Sequence, residues 1–337
     1  MPDPLHRAAE PVPSASDRSS SVPPWRDGIE LGPVGLGLVV SPTVRTDPTG
    51  ALVREAFASP ALEGPPGVLQ GGFASLLPAL AARLVDAHGA PLTALTVRLR
   101  APTPLGRRLD VAVRPIDVAR HTVSVEHEGR TLVTAEVEFA GAEAAIGADL
   151  VALARSRATG AARVEGAPGP GDDPHPTCFV CGSRSSHPLA LHLTTEPLGD
   201  EAAVTGWVAD EALAGTSLAL VRGASAEAPG VVDELVLAAV LDCVSARAAL
   251  PVARASGHGG VVLGSFALRS RAPVPVVDPV RVVARIDGRD GRRIRARVAV
   301  VDDEGAVAVV ASVVHVAVPE MPALRALEER VGDRSPG

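Results

Sequence analysis

The chain nearly repeats itself. Arg98-Leu99-Arg100-Ala101-Pro102-Thr103-Pro104 returns 171 residues later as Arg269-Ser270-Arg271-Ala272-Pro273-Val274-Pro275, with five of seven residues identical. The surroundings repeat as well. In both places an apolar helical run comes first, the matched segment is the first strand after it, and a pair of prolines ends that strand. The chain of 337 residues therefore reads as two copies of one α+β unit, each of roughly 110–140 residues.

The patterning supplies the elements of each copy. In the first, residues 51–57 (ALVREAF) alternate as a strand, Pro65, Pro66 and Gly67 close that region, and Gly71-Gly72 open an apolar run from Phe73 to Val85. Pro78 inside that run is expected to kink the helix. Residues 92–100 then alternate, with Leu95, Val97 and Leu99 facing one way and Thr96, Arg98 and Arg100 the other. Two more alternating segments follow, joined by a Glu128-Gly129 turn. In the second copy, residues 189–196 (LALHLTTE) and 202–209 read as strands, and residues 231–250 as a helix stopped by Pro251. Further strands follow, with turns at Asp287-Gly288 and Glu304-Gly305. The boundaries are a tail at 1–28, a first domain at 29–142, a linker at 143–174 rich in Ala, then Pro, Gly and Asp, a second domain at 175–320, and a tail at 321–337.

Composition excludes several classes. With 46% hydrophobic residues the chain can bury a large core, but five Phe, two Trp and no Tyr mean that Ala, Val and Leu must fill it. So few aromatic rings, with a net charge of −7, argue against nucleic-acid binding. Three cysteines make no disulfide framework. No uncharged apolar stretch reaches about 18 residues, so no membrane span is expected. Met1 to Trp25 lacks the apolar region of a secretory signal, and the expected setting is cytoplasmic.

One helix wrapped by an antiparallel sheet, with Gly-Gly at the helix start, resembles the hotdog fold, and two copies in one chain resemble a double hotdog. Three segments carry the likeness. LQGGFASLLPALAA (69–82) is similar to the His-Gly-Gly helix of thioesterase-superfamily hotdogs, with Gln70 in place of His. The segment from His175 to Leu193 resembles the Cys-Phe-x-Cys-Gly opening of many thioesterase-like domains, and residues 231–250 resemble the central helix that follows it. The resemblance spans about residues 30–320 and implies metal-free hydrolysis of acyl-CoA thioesters. In that chemistry backbone N–H groups at a helix start polarise the carbonyl. A carboxylate on the partner helix acts as base or nucleophile.

In such families the acid lies nine residues after the His position. Nine after Gln70 is Ala79; nine after Asp233 is Asp242. The resemblance therefore implies one composite site, with Gln70, Gly71, Gly72 and Phe73 facing Asp242, and one degenerate site. Asp242 and Gln70 are the expected catalytic pair; Gly71, Gly72, Phe73 and Glu234 are the expected substrate contacts. Each has a plainer alternative: Asp242 as a satisfied core acid, Gln70 as a loop cap, the glycines as a backbone need, and Asp233 and Glu234 as helix N-terminal acids.

Cys178 and Cys181, with His175 and His187, have the spacing of a zinc knuckle, but with no second Cys pair they are read as packed reduced thiols, and Cys243 as apolar filler. No cofactor or metal is assigned. His258-Gly259-Gly260 copies the motif's letters but leads into a strand, and is set aside. Arg98, Arg100, Arg269 and Arg271 read as a solvated sheet face, with contact to CoA phosphates as the alternative. The expected function is an acyl-CoA thioesterase or thioesterase-like protein, with a non-catalytic acyl-thioester binder as the second reading. A hotdog dehydratase comes third, since neither helix start offers a His. A homodimer of double hotdogs stays open.

Overall fold

A computed structural model describes residues 28–85, 92–139, 152, 175–197, 200–215, 230–270 and 272–319. Almost all of the tails (1–28 and 321–337) and of the linker (143–174) lies outside these, as does Arg271.

In the first half the strands are β1 (Ile29–Leu31), β2 (Leu38–Val40), β3 (Arg45–Thr46), β4 (Leu52–Ala58), β5 (Leu92–Leu99), β6 (Arg108–Pro115), β7 (Arg120–His127) and β8 (Arg130–Phe139), with helix α1 (Gly71–Arg83) between β4 and β5. The second half carries β9 (Glu196–Pro197), β10 (Ala202–Val208), helix α2 (Glu234–Arg254), β11 (Gly260–Ser270), β12 (Pro279–Asp290), β13 (Arg293–Val301) and β14 (Val307–Val318).

All these strands join one antiparallel sheet in the order β1-β2-β4-β6-β7-β8-β5-β11-β14-β13-β12-β10-β9, with β3 on the side of β4. The order is a palindrome of the two copies: β4-β6-β7-β8-β5 in one half is mirrored by β11-β14-β13-β12-β10 in the other. The seam is the repeated strand itself. Thr96 pairs with Ala267, the residue 171 positions on, and Val97 and Leu95 pair with Phe266 and Leu268 on either side. A local two-fold axis therefore passes between β5 and β11. Edge groups that would be open in a single copy are closed by its twin.

Each helix lies on the inner face of its own half-sheet, and the two helices also pack against each other. This is the α+β double hotdog. Residues Gly72 to Ala82 of α1 are all buried, so the helix is apolar on every side rather than striped. α2 is long and apolar enough to cross a membrane, with a mean hydropathy of 1.8, but 78% of that stretch is buried inside the protein. The core is Ala, Val and Leu with four fully buried Phe rings, at 73, 139, 179 and 266.

The alternation of Leu95 and Val97 (inward) with Thr96, Arg98 and Arg100 (outward) is as expected, and Glu128 (φ 51°) and Gly129 (φ 77°) form the β7–β8 turn. Other expectations are corrected. α2 is not stopped at Pro251 but runs through it to Arg254, as α1 runs through Pro78 to Arg83. A proline already has a helical φ and removes only one backbone hydrogen bond, and burial on several sides outweighs that loss for Pro78. Residues 189–195 form no strand, because Leu191 N–H and Leu193 N–H donate to the carbonyls of Phe179 and Val180 rather than to a sheet neighbour. The Asp287-Gly288 position is a bulge within β12; the β12–β13 turn falls between Asp290 and Arg293.

Gly72 sets the distance between the helices. A Cβ there would stand 2.2 Å from the Ala238 oxygen and 2.5 Å from Ala239 Cα, both backbone atoms that cannot rotate away. In an exposed helix Gly→Ala gains about 1 kcal/mol. Here Gly72→Ala is expected to lose about 1–3 kcal/mol through overpacking. A urea midpoint that holds or rises in this variant contradicts the close approach.

Candidate active site

The start of α1 is held by backbone before any side chain acts. The Gln70 N–H donates to Leu62 O at 3.0 Å, after a short 3-10 turn at Pro60–Leu62. The same construction precedes α2, where Asp233 N–H donates to Leu213 O at 3.0 Å after a 3-10 turn at Glu211–Leu213. Gln70 and Asp233 are thus equivalent positions, and both are N-caps.

Their side chains differ in reach. Asp233 Oδ1 accepts from Leu235 N–H of its own helix at 2.9 Å. Gln70 Oε1 accepts from Gly72 N–H at 2.8 Å and Phe73 N–H at 3.2 Å, satisfying two of the unpaired donors of the helix start. Its amide then crosses to the other half: Nε2 donates to Asp242 Oδ2 at 2.7 Å and to Ala239 O at 3.1 Å. An Asp or Ser at the cap could not span that gap.

Asp242, in the middle of α2, points at the start of α1. Its Oδ2 also accepts from Gly72 N–H at 3.2 Å. The Gly71 N–H acts on the same carboxyl, and a Cβ at Gly71 would lie 2.7 Å from Oδ2 and 3.0 Å from the Leu263 side chain. The positive end of the α1 dipole faces this group. Burial nevertheless pushes the Asp242 carboxyl up to about 7, against the pull of the Gly72 and Gly71 N–H groups, and the Cys181 sulfur adds to the rise. A carboxyl poised there exchanges protons readily near neutrality.

Below Asp242 lies a buried polar pair that the sequence reading missed. Ser245 Oγ donates to the Asp242 carbonyl and lies 2.9 Å from His315 Nε2. His315 is fully buried, and burial drops it to about 4. Its Nδ1 has no partner among the described residues. A lone His on the inward face of an apolar strand was the available signal.

The structure thus brings Gln70, Gly71, Gly72 and Asp242 together. The Phe73 ring does not face them: it is fully buried, edge-on to Phe179 at 5.1 Å, and its N–H belongs to the Gln70 cap. Glu234 is buried at the start of α2, eight residues before Asp242, or about 12 Å along the helix. Ala79 stands where the second site would need its acid, fully buried in α1. His258-Gly259-Gly260 leads into β11. Arg98 and Arg100 lie on the outer sheet face in an open groove shared with Arg45, Asp110, Glu126 and Glu136, where charges alternate; Arg45 pairs with Asp110 at 2.8 Å. Such a surface does not single out a phosphate.

No protein-family model and no curated protein matches the sequence. Solved structures do. The chain is similar to a Novosphingobium aromaticivorans protein assigned as a thioesterase, at 17% identity and a TM-score of 0.52, over 82% of this chain and 99% of that one. It is equally similar to a hot dog fold protein of unknown function from Alicyclobacillus acidocaldarius, at 14% identity and a TM-score of 0.52, over 82% and 95%. A variant of the PpsC dehydratase domain from Mycobacterium tuberculosis follows at 19% identity and 0.50, over 86% and 100%. These likenesses define the fold class, the double hotdog. Fold alone does not choose between the chemistries these neighbours carry.

The two shifted groups have opposite linkage. Asp242 is raised from 3.8 to about 7, so its contribution to stability is full below pH 3.8 and lost as pH rises through 7. His315 is lowered from 6.5 to about 4, so its contribution is full above pH 6.5 and lost as pH falls through 4. In the intact protein the two oppose each other on acidification. In Asp242→Asn only the His315 loss remains, so urea midpoints of that variant are expected to fall more steeply from pH 6.5 to 4 than those of the parent. Parallel curves contradict the assignment.

Proposed function

We propose that the chain hydrolyses acyl thioesters, with acyl-CoA the leading substrate class, at the site formed by the start of α1 and Asp242 of α2. The observation that carries this is a buried carboxyl, held near 7, against the N-terminal amides of a helix from the other half. The thioesterase assignment of one structural neighbour supports the same reading.

In this reading Asp242 takes a proton from water as the water oxygen attacks the thioester carbonyl. The Gly71 N–H, released from the carboxylate as it is protonated, stabilises the oxyanion, beside the Gly72 N–H that Gln70 Oε1 also holds. The intermediate collapses, the C–S bond breaks, and the leaving thiolate takes the proton from Asp242. The products are a carboxylic acid and a free thiol. Gln70 orients Asp242 through the 2.7 Å bond. The three free cysteines suit a reducing, cytoplasmic setting.

One observation favours a second reading. The first amides of α1 are already engaged by Gln70 and Asp242, as in a structural tie. A chain that keeps this tie when ligand arrives binds acyl thioesters without turning them over.

A panel of acyl-CoA esters with continuous detection of released thiol separates the two. Hydrolysis is expected in the parent, and a loss of ~10²–10⁴ in kcat/KM is expected for Asp242→Asn, with acyl-CoA binding retained. Binding without thiol release in the parent supports the second reading. Turnover unchanged in Asp242→Asn removes Asp242 from the mechanism.

A further inference from the structure

The cysteines assemble in a way that their spacing did not reveal. Cys243, next to Asp242 on α2, lies against Cys178 and Cys181, and all three sulfurs fall within 4.8 Å of one another. All three are free and buried. Two elements far apart in the chain supply them: a tight loop and the middle of a helix.

The loop has the form of a metal-binding knuckle. Cys178 N–H donates to His175 O and Gly182 N–H to Cys178 O, both at 2.9 Å, which curls Cys178-Phe179-Val180-Cys181-Gly182 around a centre. Gly182 permits this curl: a Cβ there would lie 2.5 Å from Cys178 N and 2.6 Å from Cys178 O. Tetrahedral zinc thiolates have Zn–S bonds of about 2.3 Å, which puts their sulfurs about 3.8 Å apart. A cluster within 4.8 Å closes on such an ion with small side-chain movements.

We propose that Cys178, Cys181 and Cys243 form a binding site for a soft divalent cation, Zn2+ foremost, directly behind Asp242. Binding exchanges three thiol protons for the metal, leaving a tri-thiolate site of net charge −1. His175, three residues before Cys178, is the side chain that can complete a Cys3His set; otherwise water takes the fourth position. His187 is excluded, since its Nε2 meets Leu36 O at 3.1 Å and its Nδ1 accepts from Leu189 N–H at 3.0 Å.

The site has a structural consequence. The knuckle belongs to the second copy in sequence, yet it rests on the first: Phe179 N–H donates to Glu63 O at 2.9 Å, and the Phe179 ring stacks edge-on against Phe73 of α1. A metal joining the knuckle to Cys243 would clamp the α1 side to α2 one residue from Asp242. The site does not depend on the thioesterase reading.

The test uses the full chain, expressed with zinc in the medium and purified without chelator. Elemental analysis is expected to find zinc stoichiometric with protein, lost on treatment with a mercurial and lowered at least several-fold in Cys243→Ser and Cys178→Ser. Reduced apoprotein titrated with Co2+ is expected to develop the thiolate-to-cobalt absorption in the near ultraviolet and the strong visible bands of a tetrahedral site. Removal of metal from the parent is expected to lower its thermal midpoint, a readout that stands even where a Cys variant folds poorly. Metal-free protein that gives no cobalt–thiolate absorption overturns the proposal. So does zinc content unchanged in a folded Cys243→Ser, or a Cys178–Cys181 disulfide in the purified chain.

Discussion

The two helices touch through a glycine, and the site depends on that contact. With no side chain at Gly72, the first turn of α1 lies on the backbone of Ala238 and Ala239. At that distance the α1 amides and the Gln70 side chain reach Asp242. A larger residue at position 72 would part the helices, and the carboxyl would be left buried without its donors, which is costly for any charged group. Close packing and polar satisfaction are therefore one requirement here. Ala238 and Ala239 are as much part of it as the residues that bear the chemistry.

Duplication supplies two such helix starts, and their side chains differ. The sheet is symmetric through the Thr96–Ala267 pair, and the two helix starts are built alike, down to the backbone bond that holds each cap. The symmetry breaks in the side chains. At the second start the cap is an Asp that accepts from Leu235 N–H, and Ala79, buried in α1, holds the position that corresponds to Asp242. The scaffold needs both copies to close the sheet and bury the helices, whereas a site needs only one complete set of residues. The loop carrying Cys178 and Cys181 adds to the asymmetry, since it lies across the first half from a position in the second.

Much of this was legible in the sequence because it is periodic or local. The repeat of residues 98–104 at 269–275 foretold the two copies, and the resemblance to His-Gly-Gly hotdogs, not the spacing alone, drew attention to Asp242. What escaped is tertiary. Pro251 reads as a helix stop, yet α2 runs on through it to Arg254. Leu189–Leu193 alternate like a strand but bond to the Cys178 loop. Phe73 beside Gly-Gly reads as a pocket wall, yet its ring turns into the core against Phe179. Ser245 with His315, and Cys243 with Cys178 and Cys181, are pairings across 70 residues or about 60 that no local pattern encodes.

Gln70 of one copy and Asp242 of the other act as a unit across the helix contact. A double-mutant cycle measures that directly. Urea unfolding of Gln70→Ala, Asp242→Ala and the double variant is expected to give a coupling energy of about 1 kcal/mol or more, as for contacting groups that share a buried hydrogen bond. Effects that add to within about 0.3 kcal/mol, the behaviour of independent sites, would contradict the account.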